Sequence, residues 1–188
     1  MPVLNVHLHI KLIHFACSLS GPWPTGPLVA NPDFYTSILW KRLMGHRVLW
    51  SSLGAAAVND QPGSPADDTG VRVYGACAAD RSGQVVLAFI NPASGPAAVA
   101  LPAVLAAAPR TLWQLGSGAE DGRVDSRTMR LNGELLTNAD AVNPGRMPGR
   151  ADPPAGSLLL EPHTYGFVAF AVRAGGAPAC QLDGPAYV

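Results

Sequence analysis

The sequence predicts a mainly β protein, an antiparallel β-sandwich preceded by one amphipathic helix. Three observations carry that expectation. Glycine and proline are plentiful, 20 and 18 in 188 residues, about a fifth of the chain against an average near 12%, which favours many short elements joined by turns. Residues 31–50, NPDFYTSILWKRLMGHRVLW, hold the strongest helical pattern. After them the apolar period shortens from about 3.6 to 2 in one run after another.

With 48% hydrophobic and only 14% charged residues, the chain has material for one core of ordinary size and does not belong to the disordered class. Thirteen basic residues cancel thirteen acidic ones, and no run gathers Lys and Arg. The electrostatic footprint of a nucleic-acid or anionic-polymer binder is therefore absent, and any polyanion specificity must come from elsewhere. Cys17, Cys77 and Cys180 have neither CxxC spacing nor histidines at ligand spacing, which speaks against zinc. They allow one disulfide with an odd thiol.

The first twenty residues, MPVLNVHLHIKLIHFACSLS, are apolar, but Lys11, His7, His9 and His14 interrupt the run. That pattern argues against a cleaved signal and against a membrane-spanning helix. Strand alternation explains the histidines as well as metal ligation would. GPWPTGPLVA (21–30) is an irregular connection. The helix then opens with Asn31 as N-cap, Pro32 at the first helical position and Asp33 near the positive dipole end. Tyr35, Ile38, Leu39 and Leu43 form its apolar face, widened by Phe34, Trp40 and Met44. Lys41 and Arg42 suit the C-terminal end, and Gly45 is expected to take the left-handed C′ position.

HRVLWSSL reads as a strand and NDQPGSPADDTG (59–70) as a loop. VRVYGACA (71–78) alternates, with Val71, Val73 and Cys77 on one face and Arg72 and Tyr74 on the other. DRSG (80–83) connects it tightly to VVLAFIN (85–91). PAVLAAAPR (102–110) offers at most a short helical turn. TLWQL (111–115) is a strand, and TMRL and ELLT flank Asn132-Gly133, the strongest short hairpin signal. Residues 138–156 are turn-rich and expected to be exposed. SLLL (157–160) and GFVAFAV (166–172) complete seven or eight short strands, the pattern of an antiparallel sandwich.

Chemistry is hard to find. Cleaving a glycosidic bond takes two facing carboxyls on rigid elements. The three glutamates, Glu120, Glu134 and Glu161, all fall in or beside turns and read as solvated. Asp67-Asp68 and Glu120-Asp121 sit in turn-forming loops. No G-x-S-x-G occurs, His163 lacks a nucleophile partner, and there is no phosphate loop or dinucleotide fingerprint. No catalytic residue, cofactor or metal is assigned. Trp113 and Tyr74 are candidate sugar-stacking residues, with core packing as the competing role.

NPDFYTSILWKRLMGHRVL, VRVYGACA, VVLAFIN, MRLNGELL, EPHTYGFVAFAV and the closing APAC resemble, in order and spacing, the C-terminal part of heparanase and the plant heparanase-like proteins, glycoside hydrolase family 79. The likeness covers roughly residues 31–182 and looks closest to the plant branch. It implies a retaining β-glucuronidase or endo-β-glucuronidase acting on glucuronide-containing glycans, built as a (β/α)8 barrel followed by a sandwich. Residues 31–50 would then be the last barrel helix and the start of the next strand, 51–188 the sandwich, and 1–30 a segment foreign to the family, as in a truncated gene model. The missing barrel would be the partner of Tyr35, Ile38, Leu39 and Leu43. The family's catalytic glutamates lie upstream of any residue matched here, so the resemblance implies an inert fragment, possessing no catalytic residue to carry over. It also implies a Cys77–Cys180 disulfide with Cys17 as the odd thiol, an open sheet edge, and the secretory pathway (extracellular, lysosomal or vacuolar, or membrane-associated). The competing reading is a stand-alone sandwich module that binds a glycan or a protein.

Overall fold

A computed structural model describes residues 30–51, 70–80, 83–172 and 180. The expectations for His7, His9, His14, Cys17, Asp67-Asp68 and most of the 59–70 loop lie outside these residues. Helix α1 spans Pro32–Leu43, with an extended Asn31 before it and Pro32 in its first turn. The Asn31 side chain makes no capping bond.

Gly45 corrects the expected helix ending. The chain leaves α1 through an extended Met44 straight into strand β1 (Met44–Leu49). A Cβ on Gly45 would stand 2.5 Å from the Cys77 carbonyl oxygen and 2.9 Å from that of Ala78. The glycine therefore serves close approach to the next strand rather than a left-handed cap.

Strands β2 (Arg72–Ala78), β3 (Val85–Asn91), β4 (Ala97–Ala100) and β5 (Arg110–Ser117) follow, with helix α2 (Ala103–Ala106) between the last two. After them come β6 (Met129–Leu131), β7 (Glu134–Leu135), helix α3 (Asn138–Val142), a 3-10 turn at Pro144–Arg146, β8 (Arg150–Asp152), β9 (Ser157–Leu160) and β10 (Thr164–Phe170). The large sheet runs β1-β2-β3-β10-β5-β6-β7, and β8 also pairs with β5. β4 and β9 form a second sheet. Every pairing is antiparallel.

The two faces of the large sheet carry different cores. On the first, Leu87, Phe89, Leu112, Val168 and Phe170 meet Val99, Leu158 and Leu160 of the small sheet, as in a sandwich. Val71, Val73 and Cys77 turn to this face, as their alternation predicts. Buried Asn91 ties the layers together, its amide donating to the carbonyls of Leu160 (3.2 Å) and Glu161 (2.9 Å). On the second face, Val86, Ala88, Leu115 and Phe167 lie beneath α1. Tyr35 and Leu39 are buried there, with Ile38 and Leu43 packed beside them. The apolar helix face expected to await an absent barrel is thus seated on this chain's own sheet.

Three further expectations change. PAVLAAAPR matters more than its length suggests, because α2 delivers Leu105 to the first core. Residues 138–156 are not wholly exposed, since Ala141 and Met147 enter the second core. β4 and β8 are strands that the apolar pattern does not announce.

Candidate functional site

A polar concavity lies where the small sheet stops short of β5. The residues of β5 that face the first core, at every second position, are Arg110, Leu112, Gln114 and Gly116. Leu112 joins that core, whereas Gln114 and Gly116 stay partly open. They floor a half-open trough of about 530 Å³, walled on one side by the β6 and β8 ends and on the other by Ser157, Leu159 and Glu161.

Register fixes the wall. Leu112 pairs with Arg150, and Gly116 pairs with Arg130, so two arginines stand over one strand, four residues or roughly 13 Å apart. Between them Asn132 is fully committed: its Oδ1 accepts from the Gln114 N–H and its Nδ2 donates to the Leu112 carbonyl. It occupies the left-handed first position of the hairpin turn, with φ 51° before Gly133 at 93°, as the Asn-Gly signal predicts. Arg130 Nη1 donates to the Gly133 carbonyl. The Arg150 side chain makes no hydrogen bond or ion pair among the described residues. At the trough's end, buried Arg110 donates Nε to Asp152 and Nη1 to the Ser157 carbonyl, binding β5, β8 and β9 together.

The sequence-stated candidates fare differently. Trp113 is buried, its indole N–H bonds the Met147 carbonyl at 3.2 Å, and the Arg42 guanidinium lies 5.8 Å from the ring centroid. That placement makes it a residue of the second core. Tyr74 is half-exposed on the second face, far along the sheet order from Trp113, so the two rings make no joint platform. Cys77 and Cys180 form a disulfide.

Glu120, Glu134 and Glu161 are all exposed, on separate elements. Asp121 pairs with Arg123 at 3.1 Å. His163 sits exposed in the turn before β10, with φ 50°. Arg123 draws exposed Asp121 and Asp125 together, at 3.1 and 3.8 Å, and in the trough Asp152 is engaged by Arg110 while Glu161 stands in water. A general acid for glycoside cleavage needs an apolar shelter that keeps its proton; none of these groups has one. Among the described residues no three His, Cys, Asp or Glu side chains cluster to hold a metal ion.

Two phenols mark the second core. Burial pushes the Tyr35 hydroxyl up from its ordinary value, reinforced by the Asp140 charge. Burial also raises Tyr165, against the hydrogen bond from Thr36. Both stay neutral packing groups.

The arginine trough as a whole leaves no local mark in the sequence. Arg110, Arg130 and Arg150 lie twenty residues apart in sequence and form no run. The Asn132-Gly133 hairpin was the single local signal that placed one of them.

No family model matches the chain. Among curated proteins it is similar to a baicalin-β-D-glucuronidase of Scutellaria baicalensis, 27% identical over 149 residues, covering 79% of this chain and 25% of that protein. It is also similar to heparanase of Gallus gallus, 30% identical over 154 residues, covering 79% and 27% respectively. The chain spans about a quarter of the length of these relatives. Two such matches, each over 79% of the chain, point the same way, and the chain is accordingly related to the heparanase-like proteins of glycoside hydrolase family 79.

Proposed function

We propose that this chain is the C-terminal sandwich of a heparanase-like retaining β-glucuronidase and does not cleave glycosides by itself. The observation that carries the reading is the state of its glutamates. A retaining enzyme holds an acid/base carboxyl and a nucleophilic carboxylate about 5 Å apart, yet Glu120, Glu134 and Glu161 stand exposed on three different elements. In the whole enzyme those two roles would belong to a barrel, with the sandwich as its support.

The surface left for such a barrel differs from the one that periodicity suggests. Tyr35 and Leu39 are already covered, whereas Trp40, Val48, Tyr74 and Ile90 remain open, 47%, 80%, 48% and 44% exposed. Val48, Tyr74 and Ile90 share the second face of the large sheet beside α1, and an apolar patch of this kind marks an interaction surface. The Cys77–Cys180 bridge favours an oxidising compartment, in keeping with a secretory-pathway location.

An aryl β-glucuronide release assay tests the reading. The purified 188-residue chain is expected to release no aglycone above a mock preparation. Turnover that co-purifies with the chain and is abolished by Glu161→Gln would overturn it.

A further inference from the structure

We infer that the arginine trough on β5 is a binding site for an acidic saccharide, a sugar segment bearing carboxylates. The inference rests on the glycan-directed reading above but requires no catalysis.

Four observations fix the ligand class. First, Arg130 and Arg150 are held by strand register over one floor, and the Arg150 side chain has no partner among the described residues. A guanidinium presents a planar fork that matches a carboxylate. Second, the floor belongs to a strand whose two edges are both paired, β10 on one side and β6 with β8 on the other. It offers side chains and no free backbone ladder, so a peptide cannot add as a strand. Third, no aromatic side chain lines the trough, which removes the stacking platform that single-stranded nucleic acids use. Fourth, the trough also carries Glu161, Gln114 and Ser157. Glu161 opposes a uniformly dense polyanion, while these three groups suit the hydroxyls of a sugar. Gly116, the register partner of Arg130, adds no side chain to the floor. The chain's balanced charge thus conceals a trough with three arginines against two carboxylates, a grouping that only folding assembles.

The test is a calorimetric or NMR titration of the full 188-residue chain with a tetrasaccharide of alternating glucuronate and N-acetylglucosamine. A second arm uses the same tetrasaccharide with its carboxyls reduced to hydroxymethyl groups. Saturable binding of the first is expected, weakened at least about tenfold by carboxyl reduction and about tenfold by each of Arg130→Gln and Arg150→Gln. Val142→Ala, exposed on α3 and away from the trough, should leave it unchanged. Circular dichroism of the variants checks that the fold is kept, and the carboxyl-reduced arm needs no variant at all. Absence of saturable binding, equal affinity for the reduced sugar, or equal affinity for an oligoglutamate peptide would overturn the proposal. None of these outcomes touches the glucuronidase reading, which falls only on turnover by this chain.

Discussion

A buried guanidinium is tolerable only while its counter-charge stays in place, and Arg110 depends on Asp152 for that. The Arg110 side chain is 5% exposed and that of Asp152 22%. Asp152→Asn keeps the shape but leaves the cation with carbonyl acceptors alone. We expect a loss of about 3 kcal/mol, or about 6–12 °C in Tm, measured by thermal melting. The double change Arg110→Met, Asp152→Leu should recover most of it, because a buried pair is often replaceable by apolar groups. A second carboxylate has a pH signature. Asp140 in the first turn of α3 accepts from the Thr137 hydroxyl at 2.7 Å and the Thr137 N–H at 2.8 Å. The hydroxyl bond first, then the N–H and the Arg146 charge, hold its carboxyl below the usual range despite some desolvation. A depressed folded value means that the stabilisation is present at neutral pH, above the unfolded value near 3.9, and is lost as pH falls through the folded one. An NMR titration should therefore show Asp140 moving up toward that unfolded value in Thr137→Val, with stability falling less steeply on acidification.

At the scale of elements, α1 decides between two pictures of the same amphipathic stretch. If its apolar face were vacant, truncating that face would cost this chain little. Leu39 is instead fully buried against the sheet, so Leu39→Ala should destabilise the isolated chain by about 3 kcal/mol. Trp40 is 47% exposed and touches Phe167 edge-on with ring centroids 6.1 Å apart; Trp40→Ala should cost only about 1 kcal/mol. Urea denaturation of both variants checks the contrast, and equal losses would contradict the packing described. The same helix shows what sequence pattern can deliver. Its start is legible because a proline in the first helical turn is a local constraint, whereas a C′ glycine and a close-approach glycine look alike in sequence without the strand that crosses Gly45. β2 is legible through alternation, and β3 and β10 as apolar runs bounded by turn formers. β4, Ala-Ala-Val-Ala, lacked apolar contrast, and β8 is three residues whose pairing with β5 is a tertiary fact, so Arg150 could not be placed and the trough stayed hidden.

Across the whole molecule, the chain order separates partners that the fold must reunite. β2 lies near one end of the described sandwich and Cys180 at the other, 103 residues from Cys77. Both cysteines enter the first core, so the bridge ties the first half of the large sheet to the segment beyond β10. In the chain-entropy account, closing a loop of that length lowers the freedom of the unfolded chain by an amount worth about 4–5 kcal/mol. Net domain stability is itself only about 5–15 kcal/mol, so the bridge rivals the rest of the balance. The variant Cys77→Ser with Cys180→Ser should melt about 10–20 °C below the parent. Incubating the parent with a strong reductant should bring its Tm down to the same place, and the double variant should be indifferent to reductant. A double variant melting within about 2 °C of the parent would mean that the two sheets and their cores hold this topology without the covalent tie, and that the entropy of the open 103-residue span is already restricted in the unfolded chain.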